Sequence, residues 1–325
     1  MTGKSEAAPP HRRGLPAREL DRPSDLPGDA PVRRWVAEAL TELRVPWDAA
    51  GLERAFERGN VVDGEGGPVG ADTPSGGLPR LFIHRDVADE GRAPTRLGVV
   101  ARTEQWIAIH KPSGIATMPR GEYVARSAVV IMRRQLGTDD VVPAHRLDRL
   151  TSGVLLLITS QSARGAYQSL FAQRLVRKRY RALTSLPPTR LRAACRRGHE
   201  VGLHLVKERG SLTVSVLPGK EPNARTRLTY VGERTPGQRS GGERGSGARV
   251  GEWILEPTTG YTHQLRATLA HLGAPIVGDP LYPEVVPMSD PRWGRGLALH
   301  AEYLSFTDPL TGRLVDLTVA PPWDT

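Results

Sequence analysis

Residues 143–153 read PAHRLDRLTSG, and residues 154–158 continue the chain as VLLLI. A short run of leucine and β-branched residues with polar flanks is typical of a buried strand. The polar residues before it predict a functional loop, because loops positioned by a rigid scaffold often carry catalytic groups. Asp148 lies between Arg146 and Arg149, and nearby positive charge favours the ionised carboxylate. A structural ion-pair loop is the alternative interpretation of these charges.

Five segments resemble, in the same order, the sequence pattern of the RluA-type pseudouridine synthases. They are HKPSGI at 110–115 for N-K-P-x-G, HRLDRLTSG at 145–153 for H-R-L-D-x-x-T-S-G, KRYRA at 178–182 for K-x-Y-x-A, TGYTHQLR at 259–266 for T-G-R-T-H-Q-I-R, and LGAPIVGDPLY at 272–282 for L-G-x-P-I-x-G-D-x-L-Y. The resemblance covers roughly residues 95–320. Its main departure is Tyr261, which stands where the pattern has an arginine.

The resemblance implies an α/β fold of the α+β type, with a large, mainly antiparallel mixed sheet flanked by helices. It also implies the isomerisation of uridine in RNA to pseudouridine, in which the N1–C1′ bond breaks and the base rejoins through C5. Asp148 matches the family's catalytic aspartate, Tyr180 the tyrosine that stacks on the uracil, and Arg266 the arginine that pairs with the aspartate. We expect neither a cofactor nor a metal ion, because the reaction involves no redox change.

We expect the RNA itself to be bound by Arg146, Arg149, Lys111, Thr151 and His263. Arg146 would contact a phosphate or the flipped base beside the site. Lys111 could approach a phosphate, although its Pro-Gly turn could equally serve only to redirect a core strand. Thr151 could supply a hydroxyl hydrogen bond at the turn.

The composition points to a polyanionic partner. The chain has 325 residues, a net charge of +10 and a sequence pI near 10.2, for which nucleic acid is the default candidate. Its single cysteine, Cys195, excludes an intrachain disulfide and fits a reducing compartment. The sequence has neither an apolar run of 18 residues nor an apolar signal core, so we expect a soluble, cytoplasmic protein, monomeric and without a membrane partner.

Pattern and composition suggest three regions before the structure is considered. Residues 1–28 are predicted to be a disordered basic arm. Residues 29–88 are predicted to form a small unit of two helices and a glycine-turn hairpin, which faintly resembles an S4-type RNA-binding module; a family-specific extension is the alternative. Residues 95–325 would form the catalytic domain, with a mobile low-complexity loop at 232–251.

Large-subunit (23S) ribosomal RNA is the expected substrate, and transfer RNA is the alternative. A catalytically silent RNA-binding or ribosome-assembly protein on the same scaffold would keep the basic surface, but would not need the three catalytic residues together. A metal-dependent hydrolase could use His145, Asp148, His263 and Asp279. These four residues lack the compact spacing of a ligand motif such as H-E-x-x-H.

Overall fold

The computed structural model describes residues 9, 11–12, 14–84, 94–119, 127–235 and 249–324. The chain divides into two compact units, one of residues 1–92 with 133–139 and the other of residues 93–132 with 140–325. None of the helices in the described ranges combines the length and the apolar composition that a membrane span requires.

The helices are α1 (Val32–Glu42), α2 (Ala49–Glu57), α3 (Ala128–Leu136), α4 (Arg164–Ala172), α5 (Thr189–Cys195), α6 (Gln264–His271) and α7 (Arg292–Arg295). The strands are β1 (Arg18–Leu20), β2 (Val61–Asp63), β3 (Leu81–Ile83), β4 (Gly98–Arg102), β5 (Trp106–Lys111), β6 (Val142–Pro143), β7 (Ser152–Ile158), β8 (Arg177–Thr184), β9 (His199–Leu203), β10 (Leu205–Val206), β11 (Ser215–Val216), β12 (Ala224–Arg234), β13 (Val250–Pro257), β14 (Leu299–Thr307) and β15 (Leu314–Thr318).

The first unit packs α1 and α2 with a three-stranded antiparallel sheet in the order β1-β3-β2. The predicted glycine-turn hairpin lies at Asn60–Val69 and has one bridge, between Val62 and Pro68. The amide of Asp63 donates to the carbonyl of Gly67, and the amide of Val69 donates to that of Val61, both at 2.9 Å. The other edge of β2 pairs with β3. The resemblance of this unit to an S4 module stays a prediction.

The prediction of a disordered arm is wrong for its described C-terminal part. Arg18–Leu20 forms β1 and pairs with β3. Leu20 is buried in the core of the first unit, and the indole Nε1 of Trp35 donates to the carbonyl of Asp21 at 2.9 Å. The sequence does not indicate this order, because its three buried leucines, Leu15, Leu20 and Leu26, are too widely spaced to form a periodic pattern. Residues 1–8, 10 and 13 lie outside the described part of the chain.

The second unit is built on a ten-stranded sheet, whose main path runs β4-β5-β7-β14-β8-β13-β12-β9. Strand β15 pairs with β14 and β6 with β7. The pairs are antiparallel except for β7 with β14. The fold is therefore the expected α+β type, with a mixed and mainly antiparallel sheet flanked by helices.

Strand β7 confirms the interpretation of residues 154–158, because all its residues are buried. The glycine before that apolar run is required by the parallel pairing with β14. Gly153 has φ of +122°, and a Cβ there would lie 2.2 Å from the carbonyl oxygen of Ala301. Only a residue without a side chain allows the two backbones to approach this closely. The predicted loop ahead of β7 is thus fixed to the middle of the sheet.

Two predictions about the outer strands need correction. The alternation of apolar and polar residues over Glu200–Val216 predicts one hairpin. The structure splits it, because β9 joins the edge of the large sheet beside β12 while β10 and β11 form a separate two-stranded ribbon. The expected loop at 232–251 is shorter than predicted, since β12 extends to Arg234 and β13 begins at Val250. Residues 236–248 lie outside the described residues.

Candidate active site

An open pocket of about 460 Å³ lies in the second unit, where the loop before β7 faces β8 and the start of α6. Its lining includes these residues from the sequence motifs: Arg146, Asp148, Thr151, Lys178, Tyr180, Tyr261, His263 and Arg266. The structure therefore brings together the three predicted catalytic residues and three of the five predicted substrate contacts. Lys111 and Arg149 do not line the pocket.

Lys111 lies behind the loop that carries Asp148, not on an RNA-facing surface. Its side chain is fully buried, and its Nζ donates to the carbonyls of Ile115, Pro112 and Arg149 at 2.7, 3.0 and 3.2 Å. Burial lowers its pKa to about 7, a shift that the charge of Asp148 opposes. The expectation that Lys111 binds a phosphate is therefore replaced by a structural role, since its three donors are already used.

The same loop is held by three further backbone contacts. Ser113 Oγ donates to the carbonyl of Leu150 at 2.6 Å. Thr117 Oγ1 both donates to the carbonyl of Leu147 at 2.8 Å and accepts its amide at 3.0 Å. The amide of Thr151 donates to the carbonyl of Asp148 at 3.1 Å and closes a turn. These contacts fix the backbone on both sides of Asp148, whose side chain remains 20% exposed toward the pocket.

The principal partner of Arg266 is Asp279 rather than Asp148. Its Nε and Nη2 donate to the two carboxylate oxygens of Asp279 at 2.8 and 2.6 Å, whereas its Nη1 lies 3.9 Å from Asp148 Oδ2. Burial alone would lower the pKa of Arg266, but the hydrogen bonds and charge of Asp279 outweigh that effect and raise it. Arg266 is thus a fixed cation beside Asp148, oriented by a second carboxylate that pattern matching did not assign.

His263 lies on the other side of the same carboxylate oxygen. Its Nε2 is 4.0 Å from Asp148 Oδ2, and its Nδ1 is 3.1 Å from the hydroxyl of Tyr282. Burial, reinforced by the charge of Arg266 and opposed by that of Asp148, lowers the pKa of His263 to about 4. The imidazole is therefore neutral at pH 7, and its predicted contact with RNA stays a prediction.

Tyr180 lies on β8 within the pocket lining. Burial first, and then the negative charge of Asp148, raise the pKa of its phenol well above the usual range. Tyr180 is consequently a neutral aromatic ring beside the carboxylate, as a base-stacking role requires.

His145 supports the loop that precedes β7. Its Nε2 accepts the amide of Leu156 at 3.2 Å, and its ring stacks on Phe171 with centroids 4.6 Å apart. Burial lowers its pKa to about 3, so it accepts that bond as a neutral ring. Since Asp279 is occupied by Arg266, His145 and Asp279 both have partners that a metal site would have to displace.

Arg149 differs from expectation, while Arg146 fits it. The guanidinium of Arg149 lies over the ring of Trp293 at 5.7 Å, outside the pocket lining. Arg146 is exposed and lines the pocket. Neighbouring residues of a loop project in different directions, so the sequence alone could not separate these two arginines.

The rim of the pocket carries further basic and aromatic groups. Arg174 and Lys178 line it, and Lys178 Nζ donates to the carbonyl of Thr259 at 3.0 Å. Tyr261 also lines the pocket, with 46% of its surface exposed. Its backbone amide donates to the side-chain oxygen of Gln264 at 3.0 Å, which fixes the turn that presents it.

The family resemblance implies no part in the synthase site for Asp279 or Tyr282, although both lie in segment 272–282, and Asp279 is expected only as a ligand of the rival metal site. A buried arginine at the edge of an apolar helix face requires a carboxylate. The resemblance pairs Arg266 with Asp148, whereas the structure pairs it with Asp279. The role of Tyr282 depends on tertiary packing against His263 and has no local signal.

Residues 105–271 match the family described as RNA pseudouridylate synthase. An uncharacterized RNA pseudouridine synthase of Synechocystis sp. is 30% identical over 277 residues, which cover 83% of this chain and 88% of its own length. The dual-specificity RNA pseudouridine synthase RluA of Haemophilus influenzae is 31% identical, over 66% of this chain and 89% of its own. The tRNA pseudouridine synthase C of Salmonella typhimurium is 33% identical, over 64% and 78%.

Among solved structures, human RNA pseudouridylate synthase domain containing 1 aligns with a TM-score of 0.54 and 22% identity, covering 70% of this chain and 84% of that one. This likeness concerns the fold, whereas the family match extends from β5 to the end of α6 and includes the pocket residues Asp148, Tyr180 and Arg266. The chain belongs to the RluA-type family of RNA pseudouridine synthases.

Proposed function

We propose that this protein isomerises specific uridines in structured RNA to pseudouridine, with Asp148 as the catalytic carboxylate. The observation that carries the proposal is the position of Asp148 inside the pocket, between the neutral ring of Tyr180 and the fixed cation of Arg266. Pseudouridine formation needs a carboxylate at the junction of sugar and base, an aromatic face for the uracil and no cofactor.

The size of the pocket supports a flipped nucleotide as the ligand. A volume of about 460 Å³ lies in the usual range for small-ligand sites, so it accommodates one nucleotide and not a duplex. The target uridine must therefore leave its stack, which costs a few kcal/mol and least in unpaired regions. Stacking on Tyr180 offsets part of that cost, because base–aromatic stacking contributes about 1–3 kcal/mol.

Basic side chains at the rim are placed to bind the backbone around the flipped nucleotide. Arg146, Arg174 and Lys178 line the pocket on the side of the loop and β8. Burial lowers the pKa of Lys178, assisted by the charge of Arg174, and a phosphate between them would relieve that repulsion. Exposed Tyr261 offers a second aromatic surface at the rim.

We propose ribosomal RNA of the large subunit as the principal substrate and transfer RNA as the alternative. One relative is described as dual-specificity and another as acting on tRNA, so both classes of RNA belong in the test. The fold does not identify the uridine, since recognition of RNA depends on shape and loop contacts.

The rival proposal is a catalytically silent RNA-binding or ribosome-assembly protein on the same scaffold. Such a protein would need the basic rim, but it would not need a partly exposed carboxylate in one pocket with a buried arginine and a half-buried tyrosine. The convergence of Asp148, Tyr180 and Arg266 on one pocket therefore favours the enzyme.

The test is pseudouridine mapping of total RNA from a strain that lacks the gene, complemented with wild type, Asp148→Ala or Asp316→Ala. Asp316 is an exposed aspartate on β15 and serves as the matched control. We expect one ribosomal or transfer RNA site to be lost and to return with wild type and Asp316→Ala only. Full restoration by Asp148→Ala, or the absence of any altered site, would favour the silent RNA-binding protein.

A further inference from the structure

Three groups form a chain of contacts that ends at the carboxylate of Asp148. The backbone amide of Val214 donates to the hydroxyl oxygen of Tyr282 at 2.7 Å. That oxygen lies 3.1 Å from Nδ1 of His263, and Nε2 of His263 lies 4.0 Å from Oδ2 of Asp148. The rings of His263 and Tyr282 meet edge to face, with an interplanar angle of 89°. This series of contacts determines which ring nitrogen of His263 carries the proton.

The donors and acceptors can be assigned in order. The oxygen of Tyr282 accepts the amide hydrogen of Val214, so the phenol's own hydrogen needs an acceptor, and Nδ1 of His263 is in place to accept it. Nδ1 then carries no hydrogen, and a neutral imidazole must carry its hydrogen on Nε2. Burial of His263, which lowers its pKa to about 4, keeps the ring neutral at pH 7.

The opposite tautomer is disfavoured on two counts. With the hydrogen on Nδ1, the oxygen of Tyr282 would accept two hydrogen bonds and leave its own half-buried hydroxyl hydrogen without the acceptor that His263 provides. Nε2 would then direct a lone pair at the carboxylate of Asp148, which also has only lone pairs to offer. In this tautomer the hydroxyl hydrogen of Tyr282 and the Nε2 lone pair of His263 would both lack a hydrogen-bond partner in a largely buried site.

We propose that His263 is a positioning residue, which donates its Nε2–H to Oδ2 of Asp148 in the tautomer set by Tyr282. Arg266 Nη1 approaches the same oxygen from 3.9 Å, so the two donors hold Oδ2 and leave Oδ1 to face the target nucleotide. Distances of 3.9 and 4.0 Å exceed those of hydrogen bonds, and such contacts often shorten only when substrate is bound. The inference rests on the proposed function.

The backbone around His263 is arranged for this task. His263 adopts a left-handed conformation, with φ of 53° and ψ of 17°, at the first residue before α6. A non-glycine residue in this conformation is strained, and strained residues of this kind cluster at functional sites. Gln264 holds the turn, because its Oε1 accepts the hydroxyl of Thr259 at 2.8 Å and the amide of Tyr261 at 3.0 Å.

Nitrogen NMR on the full chain labelled with ¹⁵N-histidine tests the tautomer without any RNA. The His263 signals are identified by their loss in His263→Gln. We expect wild type at pH 7 to show a protonated Nε2 and a bare Nδ1. Tyr282→Phe, which keeps the ring but removes the hydroxyl, is expected to give a mixture of tautomers. A protonated Nδ1 or a doubly protonated ring in wild type at pH 7 would overturn the proposal.

Single-turnover rates, measured with excess enzyme on total RNA from the deletion strain, test the effect on chemistry. The Gln side chain can place an amide N–H near the position of Nε2, whereas that of Asn is too short. We expect His263→Asn to slow pseudouridine formation by about 100-fold, because a misplacement of a reacting group by about 1 Å can cost that much. His263→Gln is expected to retain most of the rate.

Equal rates for His263→Asn and His263→Gln, with melting temperatures alike, would refute the positioning role while leaving the enzyme assignment intact. If wild type forms no pseudouridine in any RNA, the proposed function fails, and the NMR result still reports the tautomer. The two failures are therefore distinguishable.

Discussion

Arg266 and Asp279 form the most buried ion pair beside the candidate site. Arg266 is 2% exposed and the Asp279 side chain is fully buried. Asp279 Oδ1 also accepts the backbone amide of Leu281 at 2.9 Å. Asp279 therefore orients Arg266 through Nε and Nη2, and Nη1 is left as the donor directed at Asp148. Removing the carboxylate of Asp279 should leave the buried positive charge of Arg266 only partly compensated.

We expect Asp279→Asn to lower the free energy of unfolding by about 3–5 kcal/mol, the usual cost of breaking a buried pair. Pseudouridine formation should fall as well, because Arg266 would turn toward Asp148, the next carboxylate within reach. Urea unfolding followed by circular dichroism measures the first effect and RNA mapping the second. Glu200→Gln is the control, since Glu200 forms an exposed pair with Arg225 at 3.6 Å and should change stability by less than about 1 kcal/mol. Equal losses in the two variants would contradict this account.

At the scale of elements, the parallel pairing of β7 with β14 places the loop of Asp148. It rests on a contact between Gly153 and Ala301 that no other residue type permits. We expect Gly153→Ala to destabilise the protein by at least about 1–3 kcal/mol from backbone strain alone, with the overlap against Ala301 adding to that. Activity should be lost with it, because Thr151 and Asp148 directly precede β7.

Gly165→Ala provides the matched control for that substitution. Gly165 lies in α4, and a Cβ there would meet no atom within 4 Å. The change should stabilise the protein by about 0.4–1 kcal/mol through the unfolded chain. Melting curves of the two variants test the pair of expectations, and a stable, active Gly153→Ala protein would show that β7 and β14 can separate without cost.

The elements that could be predicted are those with a local signal. The run at 154–158 predicts β7, and the helical spacing of Val129, Met132 and Leu136 predicts α3. The partners of the strands could not be predicted, because alternation identifies a strand but not its neighbour. The pairing of β7 with β14 joins Ser152 to His300, residues that are 148 positions apart.

The basic residues along β8 are a second case in which the sequence predicts a strand but not the surroundings of its side chains. The basic residues between Arg174 and Arg197 predict an RNA-facing surface, yet successive side chains of a strand point to opposite faces. Lys178 and Tyr180 face the pocket. Arg179 and Arg181 turn to the other face, where both contact Glu302, at 2.9 and 3.1 Å. The run is basic, but carboxylates that are distant in the sequence neutralise about half of its positive charge within the protein.

At the scale of the molecule, burial keeps several histidines neutral. Burial lowers the pKa of His145 to about 3 and those of His263 and His300 to about 4, whereas an unfolded histidine titrates near 6.5. Between these values the unfolded chain binds more protons than the native protein. Since the derivative of the unfolding free energy with pH has the sign of that difference, stability must rise with pH in this window.

We therefore expect the free energy of unfolding to fall as the pH is lowered from 7 to 5, by up to about 1.4 kcal/mol per pH unit for each histidine involved. Urea titrations at half-unit intervals would measure it. His145→Gln should reduce the slope, because the Gln oxygen can still accept the amide of Leu156 but takes up no proton in this range. A stability independent of pH from 7 to 5 would contradict the burial of these rings as neutral groups.

The loop of Asp148 is fastened through main-chain atoms: the carbonyls of Leu147, Arg149 and Leu150 receive hydrogen bonds from Thr117, Lys111 and Ser113. A carbonyl is the same group whatever amino acid bears it. A side chain of the loop that lines the pocket, such as that of Arg146, can therefore be exchanged without loss of these hydrogen bonds. The identity of such a side chain and the position of the carboxylate of Asp148 are in this way independent of each other.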